Sequence, residues 1–190
     1  MNTPAHAVVT LLVLGRRSRP ELNAPLAFGA VLPDAPMFVF YLWEKLLAGT
    51  PERVIWGSAY FEPTWQAFFD VFNSLPIIAL GLLLARGLGA PRLLACFAAM
   101  GVHALCDLPL HREDGHRHFF PLSDWRFMSP VSYWDPSHHG GVFGAFEIGL
   151  VVVGCAVLAR RHDTRLARGL LGGIVALYTL YIGYAVLVWM

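Results

Sequence analysis

Long apolar runs separated by short polar loops dominate this 190-residue chain and restrict the folds open to it. Hydrophobic residues make up 56% of the sequence and charged residues only 14%, whereas about a quarter of the residues in a soluble domain are charged. Because a backbone inside a bilayer must satisfy its own hydrogen bonds, apolar runs of this kind form helices. We therefore expect an all-α fold, a polytopic membrane helix bundle that forms one integral membrane domain over residues 1–190.

The bundle is expected to contain five to six segments, depending on whether the first run crosses the membrane. Residues 3–15 would span only about 20 Å as a helix, which is short of a hydrocarbon core of about 30 Å. Basic residues follow this run, whereas they precede the apolar part of a cleavable signal peptide, so we expect it to be retained. The longer runs cover residues 24–47, 64–84, 91–108, 142–159 and 166–189.

The basic residues are unevenly divided between the loops, and this division predicts an orientation. The loops after the first, third and fifth runs hold nine basic and two acidic residues, whereas the opposite loops hold five basic and seven acidic ones. The positive-inside rule places the arginine-rich loops in the cytoplasm. We therefore expect a protein of the bacterial inner membrane whose loop 109–141 faces outward. A net charge of +1, with scattered basic residues, gives no indication of nucleic-acid binding.

Loop 109–141 and the run before it are rich in histidine. Six of the eight histidines lie between residues 103 and 139. His103, Asp107 and His111 recur every four residues, and a helix would place them on one face. Imidazoles with carboxylates suit divalent metals, of which zinc is the usual occupant. The pattern predicts a site for zinc or another divalent metal. The alternative is that Asp107 ends a helix and His111 solvates that end.

Several ionisable groups lie inside the apolar runs. Asp34 interrupts the second run between two prolines, and an intramembrane carboxylate is a functional hypothesis by default. On the predicted topology, five further groups fall toward the outer ends of their helices: His6, Asp70, His103, Asp107 and Glu147. We expect them to line one outward-facing cavity. The aromatic residues of loop 109–141 indicate a folded lid over that cavity or, equally well, an anchor at the membrane interface.

Four short motifs together resemble those of the bacterial family of membrane-bound metal-dependent hydrolases. They are Thr3-Pro4-Ala5-His6, Leu32-Pro33-Asp34, the pair of His103 and Asp107, and His138-His139-Gly140. That family is in turn similar to zinc-dependent phospholipase C in the order of its motifs. The resemblance implies that the metal ligands are His6, Asp34, His103 and Asp107, completed by one of His111, His118, His138 or His139.

The sequence also departs from this pattern. The phospholipase pattern ends with a histidine and a glutamate four residues apart, whereas Phe143 precedes Glu147 at that distance. The run PLSDWRFMSPVSYWDPSHHG is also similar to a group of uncharacterised bacterial membrane proteins, some of which are labelled as cobalamin-biosynthesis proteins. No residue of the chain supports that label.

The predicted ligands indicate a metal-dependent hydrolase whose partner is membrane lipid and whose substrate is a lipid-like phosphoester or acyl ester. From proximity in sequence, Asp114 or Glu113 would serve as general base, and Arg112 or Arg117 would hold an anionic headgroup. One alternative is a non-enzymatic protein whose buried acids and histidines carry an ion or a proton. Another is a structural metal that fixes the loop without turnover.

Overall fold

Helices make up the regular structure of the chain in a computed structural model that describes the backbone of residues 1–189 and the side chains of residues 1–181. No strand occurs within residues 1–189, in agreement with the expected all-α class. The α-helices are α1 (Thr3–Val13), α2 (Asn23–Val31), α3 (Ala35–Leu42), α4 (Glu52–Gly57), α5 (Pro63–Asn73), α6 (Leu75–Gly87), α7 (Pro91–Asp107), α8 (Gly140–Arg161) and α9 (Arg165–Trp189).

Within the described residues, three helical segments are long and apolar enough to cross a membrane. They are Pro20–Leu47, Pro63–Gly87 and Gly140–Arg161. Helix α1 has 11 residues and α7 has 17. At 1.5 Å per residue these two helices measure about 17 Å and about 26 Å, less than a hydrocarbon core of about 30 Å. The structure is thus compatible with a membrane protein, while the count of five to six spans stays a prediction.

The first two of these segments are interrupted by polar turns at prolines. A 3₁₀ turn at Leu32–Asp34 separates α2 from α3, because prolines there remove backbone donors. Ser74, with extended backbone, separates α5 from α6, and its hydroxyl accepts a hydrogen bond from the amide of Ile77 over 3.2 Å. The side chain of Asp34 and the last residue of α5, Asn73, thereby lie in the interior of the bundle, where Asp34 approaches His103 and Asn73 approaches the carbonyl of Pro33. The interruption expected around Asp34 is present.

Helix α7 lies at the centre and packs against α1, α2 and α6. Gly29 permits the close approach of α2, because a Cβ atom at this position would collide with the backbone of Cys96. This approach brings the carbonyl of Ala30 to 2.7 Å from Nδ1 of His103. On its other side, α1 packs against α8, where Gly154 makes room for Val8. The four helices α1, α2, α7 and α8 therefore surround the region that holds His6 and His103.

The loop between α7 and α8 is folded onto the helices by backbone hydrogen bonds and ion pairs. The amide of Leu75 donates to the carbonyl of His118 over 2.8 Å, and the amide of Tyr133 donates to the carbonyl of Leu110 over 3.0 Å. The guanidinium of Arg117 pairs with Asp70 on α5. Helix α8 begins at Gly140, slightly before the predicted end of the loop. The loop is folded as expected, and its extracytoplasmic location stays a prediction.

Candidate metal centre

Three buried side chains from two helices meet at one point. Nε2 of His6 on α1 lies 3.1 Å from Oδ1 of Asp107, and Nε2 of His103 lies 3.0 Å from Oδ2 of the same carboxylate. Each side chain is at most 2% exposed, and the candidate ligand atoms all lie within 4.8 Å of one another. This buried group of His6, His103 and Asp107 could bind a metal ion.

The hydrogen bonds around the two imidazoles indicate that the group suits a cation. The N–H at Nδ1 of His103 donates a hydrogen bond to the carbonyl of Ala30, so Nε2 carries the lone pair of the neutral ring. That lone pair faces the Asp107 carboxylate. The Nε2 atom of His103 and Oδ2 of Asp107 are then both hydrogen-bond acceptors, and they repel each other unless a cation or a second proton lies between them. Neither ring nitrogen of His6 has a hydrogen-bond partner among the described residues. Buried polar atoms without partners require an explanation, and a bound ion is one such explanation.

Two further ligand candidates lie on the edges of this group. Oδ1 of Asp34 lies 3.5 Å from Nε2 of His103, and Nε2 of His111 lies 3.4 Å from Oδ1 of Asp107. Oδ2 of Asp34 and Nε2 of His111 are buried and have no hydrogen-bond partner within the part of the chain that the structure describes. Five of the predicted ligands are therefore brought together: His6, Asp34, His103, Asp107 and His111. We call these five residues the His–Asp cluster.

The imidazoles of His6 and His103 stack face to face. Their ring centroids are 3.6 Å apart and the ring planes differ by 16°. The two Nε2 atoms lie near different oxygens of the Asp107 carboxylate, 3.1 Å from Oδ1 for His6 and 3.0 Å from Oδ2 for His103.

His111 reaches the cluster by a different route from the one that the sequence pattern predicted. Helix α7 ends at Asp107, so His111 is not on the same helical face as His103. Instead the chain turns, and the amides of Leu110 and His111 both donate to the backbone carbonyl of Asp107, over 2.9 and 3.1 Å. The helix expected to carry all three residues ends at Asp107, and the turn that follows brings the His111 imidazole to the same carboxylate.

Asp114 holds His111 in place. Its Oδ2 accepts a hydrogen bond from Nδ1 of His111 over 2.9 Å and another from Nε1 of Trp134 over 3.1 Å. Burial alone would lower the pKa of His111, but the carboxylates of Asp107 and Asp114 raise it to about 9. Burial opposes ionisation of Asp114, yet the imidazole of His111 lowers the pKa of that carboxyl below its usual value. These contacts favour a positioning role for Asp114 over the predicted role of general base.

Two more histidines continue the row of imidazoles away from the cluster. The ring centroid of His116 lies 5.8 Å from that of His111 and 6.3 Å from that of His118. His118, a predicted ligand, is buried, and its ring nitrogens have no hydrogen-bond partner among the described residues. Nδ1 of His116 lies 3.5 Å from Oδ1 of Asp70. His118 therefore lies next to His116 and not beside Asp107, where the other predicted ligands meet.

Three predicted site residues lie apart from the cluster. Glu113 is exposed, and so is His139, which has a left-handed backbone (φ 67°) just before α8. The guanidinium of Arg117 pairs with Asp70 and, over 2.7 Å, with Asp124. Exposure argues against His139 as a ligand, and these ion pairs argue against Arg117 as the binder of a headgroup.

Two structural supports of the cluster have a role that the sequence did not reveal. One is the carbonyl of Ala30, which has no sequence signature because every residue carries such a group. The other is Glu147, which accepts hydrogen bonds from the amide of Asn2 over 3.2 Å and from the hydroxyl of Tyr178 over 2.7 Å and so fixes the start of α1. Its position in an apolar run gave the signal that it is important, but not which partners it binds.

Comparisons of the chain with family models, with curated proteins and with solved structures find no match. The resemblance of the four short motifs to the membrane-bound hydrolases therefore stays a prediction, and the function has to be argued from the His–Asp cluster itself.

Proposed function

We propose that this protein is a membrane-embedded, metal-dependent hydrolase of a phosphoester or acyl ester at the outer face of the membrane, with zinc as the expected metal. One observation carries the proposal: the Nε2 atoms of His6 and His103 face the Asp107 carboxylate, buried and without hydrogen-bond partners among the described residues. Imidazole and carboxylate ligands of this kind are the set that catalytic zinc sites use.

The cluster has enough donors for one divalent ion and offers a second set beside it. His103, Asp34 and Asp107 would hold one ion. His6 and His111, on the other side of the same carboxylate, would hold a second ion only in place of the amino group of Met1, which lies 2.6 Å from Oδ1 of Asp107.

The chemistry follows from this donor set. A divalent ion supplies a Lewis acid that polarises a phosphoryl or carbonyl oxygen and lowers the pKa of water to about 7. The carbonyl of Ala30 orients His103, and Asp114 orients His111, so both Nε2 atoms are pre-positioned. Oδ2 of Asp34 has no partner among the described residues and would accept a proton from an attacking water. Substrate would approach from the side of Asp34 and His111, whose side chains are 15% and 11% exposed, because the other side chains of the cluster are at most 2% exposed.

A structural metal is the second candidate, and the deep burial of the cluster favours it. His6, His103 and Asp107 are at most 2% exposed, as expected for an ion that is closed off by protein. A structural zinc has four protein ligands, whereas a catalytic zinc keeps one position open for water or substrate. In that case the ion would connect α1, α7 and the loop without turnover.

Metal analysis of the detergent-purified protein tests both candidates. We expect about one to two equivalents of zinc per chain in the wild type and loss of metal in His103→Ala and Asp107→Ala. His162→Ala is the control, because His162 lies at the far end of α8, and it should retain full metal content. A metal-free wild type would remove both candidates.

A panel of phospholipids and soluble phosphoesters and acyl esters then separates enzyme from structural site. We expect turnover that is lost on chelation and restored by zinc. Metal-loaded protein that hydrolyses no member of the panel would overturn the hydrolase and leave the structural ion.

A further inference from the structure

A large apolar cavity lies beside the His–Asp cluster, between the loop and α8. Its volume is about 520 Å³, within the range of about 300–1,000 Å³ typical of sites for small ligands. Leu110 and Tyr133 of the loop line it, as do Phe146 and Leu150 of α8. Met1 also lines the cavity, and its amino group lies 2.6 Å from Oδ1 of Asp107. The cavity is thus framed by the loop, α8 and the start of the chain.

The cavity shares a wall with the cluster. Leu110 lies in the turn between the ligands Asp107 and His111, and its carbonyl accepts the amide proton of Tyr133. The ring of Tyr133 lies 5.1 Å from the ring of His111, centroid to centroid. A molecule that fills the cavity therefore contacts Leu110 and Tyr133, which are direct neighbours of the candidate metal ligands.

The lining leaves little for a polar ligand to bind. The hydroxyl of Ser129 already donates to the carbonyl of Pro109 over 2.6 Å. The carboxylate of Glu147 already accepts hydrogen bonds from Asn2 and Tyr178. The remaining wall is mostly aliphatic and aromatic. Such a cavity favours hydrocarbon, because each buried methylene adds to the affinity while an unpaired polar group would cost free energy.

The wall formed by α8 gives access from the lipid side. Helix α8 is one of the three segments that are apolar enough to cross a membrane. Phe146, which lines the cavity, is 65% exposed, and Val142 one turn earlier is 68% exposed. A chain in the bilayer could therefore enter alongside α8 without crossing water.

We propose that this cavity binds the hydrocarbon chain of an amphiphilic substrate whose polar ester group lies at the His–Asp cluster. The inference rests on the proposed hydrolase function and adds to it the class of substrate and the path of entry. The cavity would set the preferred chain length, while the metal ligands would set the chemistry of the headgroup.

A photoreactive probe tests the chain site without requiring turnover. Detergent-purified protein is irradiated with a long-chain alkyl phosphate that carries a terminal diazirine, and labelled peptides are mapped by mass spectrometry. We expect labels on residues 127–133 and 143–150. Val131→Trp, which fills the cavity, should reduce this labelling about tenfold, the effect of losing about two buried methylenes.

Val39→Trp is the matched control, since Val39 is 52% exposed on a different apolar surface, and it should label as the wild type does. Phe143→Trp provides a second filling variant if Val131→Trp does not fold. Labels spread evenly over the apolar helices and unaffected by the filling variants would overturn the chain site. Ester hydrolysis without localised labelling would support the hydrolase function and contradict the chain site. Localised labelling of a protein that binds no metal would support the chain site and contradict the hydrolase function.

Discussion

At the scale of single residues, the histidines divide into those that face Asp107 and those that do not. His111 lies 3.4 Å from this carboxylate, whereas His139 is exposed. We expect His111→Ala to weaken zinc binding by at least about tenfold, because it removes a ligand, and His139→Ala to leave the affinity unchanged. Competition with a chromogenic chelator measures both. Weaker binding in His139→Ala alone would contradict the assignment.

The hydrogen bond between Asp114 and His111 makes a second prediction. A carboxylate that orients a ligating imidazole contributes about 10–100-fold to metal affinity, so Asp114→Asn should lose about that factor. Trp134→Phe removes the other hydrogen bond of Asp114 and keeps the contact with His111, so it serves as control. Equal affinities in Asp114→Asn and the wild type would show that the imidazole is positioned by other groups.

The types of the ligands could be predicted from the sequence, but their support could not. His6, Asp34, His103 and Asp107 stood out as ionisable residues in apolar runs, where burial is costly without a partner. The loop histidines offered several equivalent choices, and only the turn after Asp107 selects His111 among them. Spacing along a sequence does not specify such a turn, because it depends on where the helix ends.

At the scale of helices, the boundaries of α7 decide the geometry of the cluster. Pro91 at its first position and His103 and Asp107 one turn apart at its end were predictable, since proline is favoured in the first turn and residues four apart share a face. The contact with α2 was not predictable. The contact depends on Gly29, because only a residue without a side chain fits against the backbone of Cys96. The sequence does not show that these two residues are neighbours.

Gly29→Ala tests this contact between helices. The new Cβ would meet the rigid backbone of Cys96 and push α2 away, moving the Ala30 carbonyl from His103. We expect a loss of about 1–3 kcal/mol in stability, typical of overpacking, together with weaker zinc binding. Thermal unfolding in detergent and zinc titration measure the two effects.

Gly144→Ala on α8 is the control for that substitution. Nothing lies within 4 Å of a Cβ atom at Gly144, and alanine is the better helix former, so this variant should be at least as stable as the wild type. If Gly29→Ala unfolds at the same temperature as Gly144→Ala, the close approach of α2 and α7 does not constrain the fold.

At the scale of the whole molecule, composition predicted the class of fold, while the number of membrane crossings stays a prediction. The all-α architecture follows from the apolar runs, and three segments of the described part of the chain have the length and hydropathy to cross a membrane. The first and fourth runs form the shorter helices α1 and α7, which are the two that carry His6, His103 and Asp107. Hydropathy alone cannot separate a short span from a helix buried among others, because both are apolar.

The orientation of the loops is the last prediction. The loop between α6 and α7 is flanked by arginines and should be cytoplasmic, whereas the loop before α8 should face outward. In a variant with Cys96, Cys106 and Cys155 replaced, a membrane-impermeant maleimide added to intact spheroplasts should label Ser137→Cys. Leu88→Cys, 75% exposed in the first of these loops, should react only after the membrane is broken. The opposite labelling pattern would show that the His–Asp cluster faces the cytoplasm. Labelling of both positions from outside would show that α7 does not cross the bilayer.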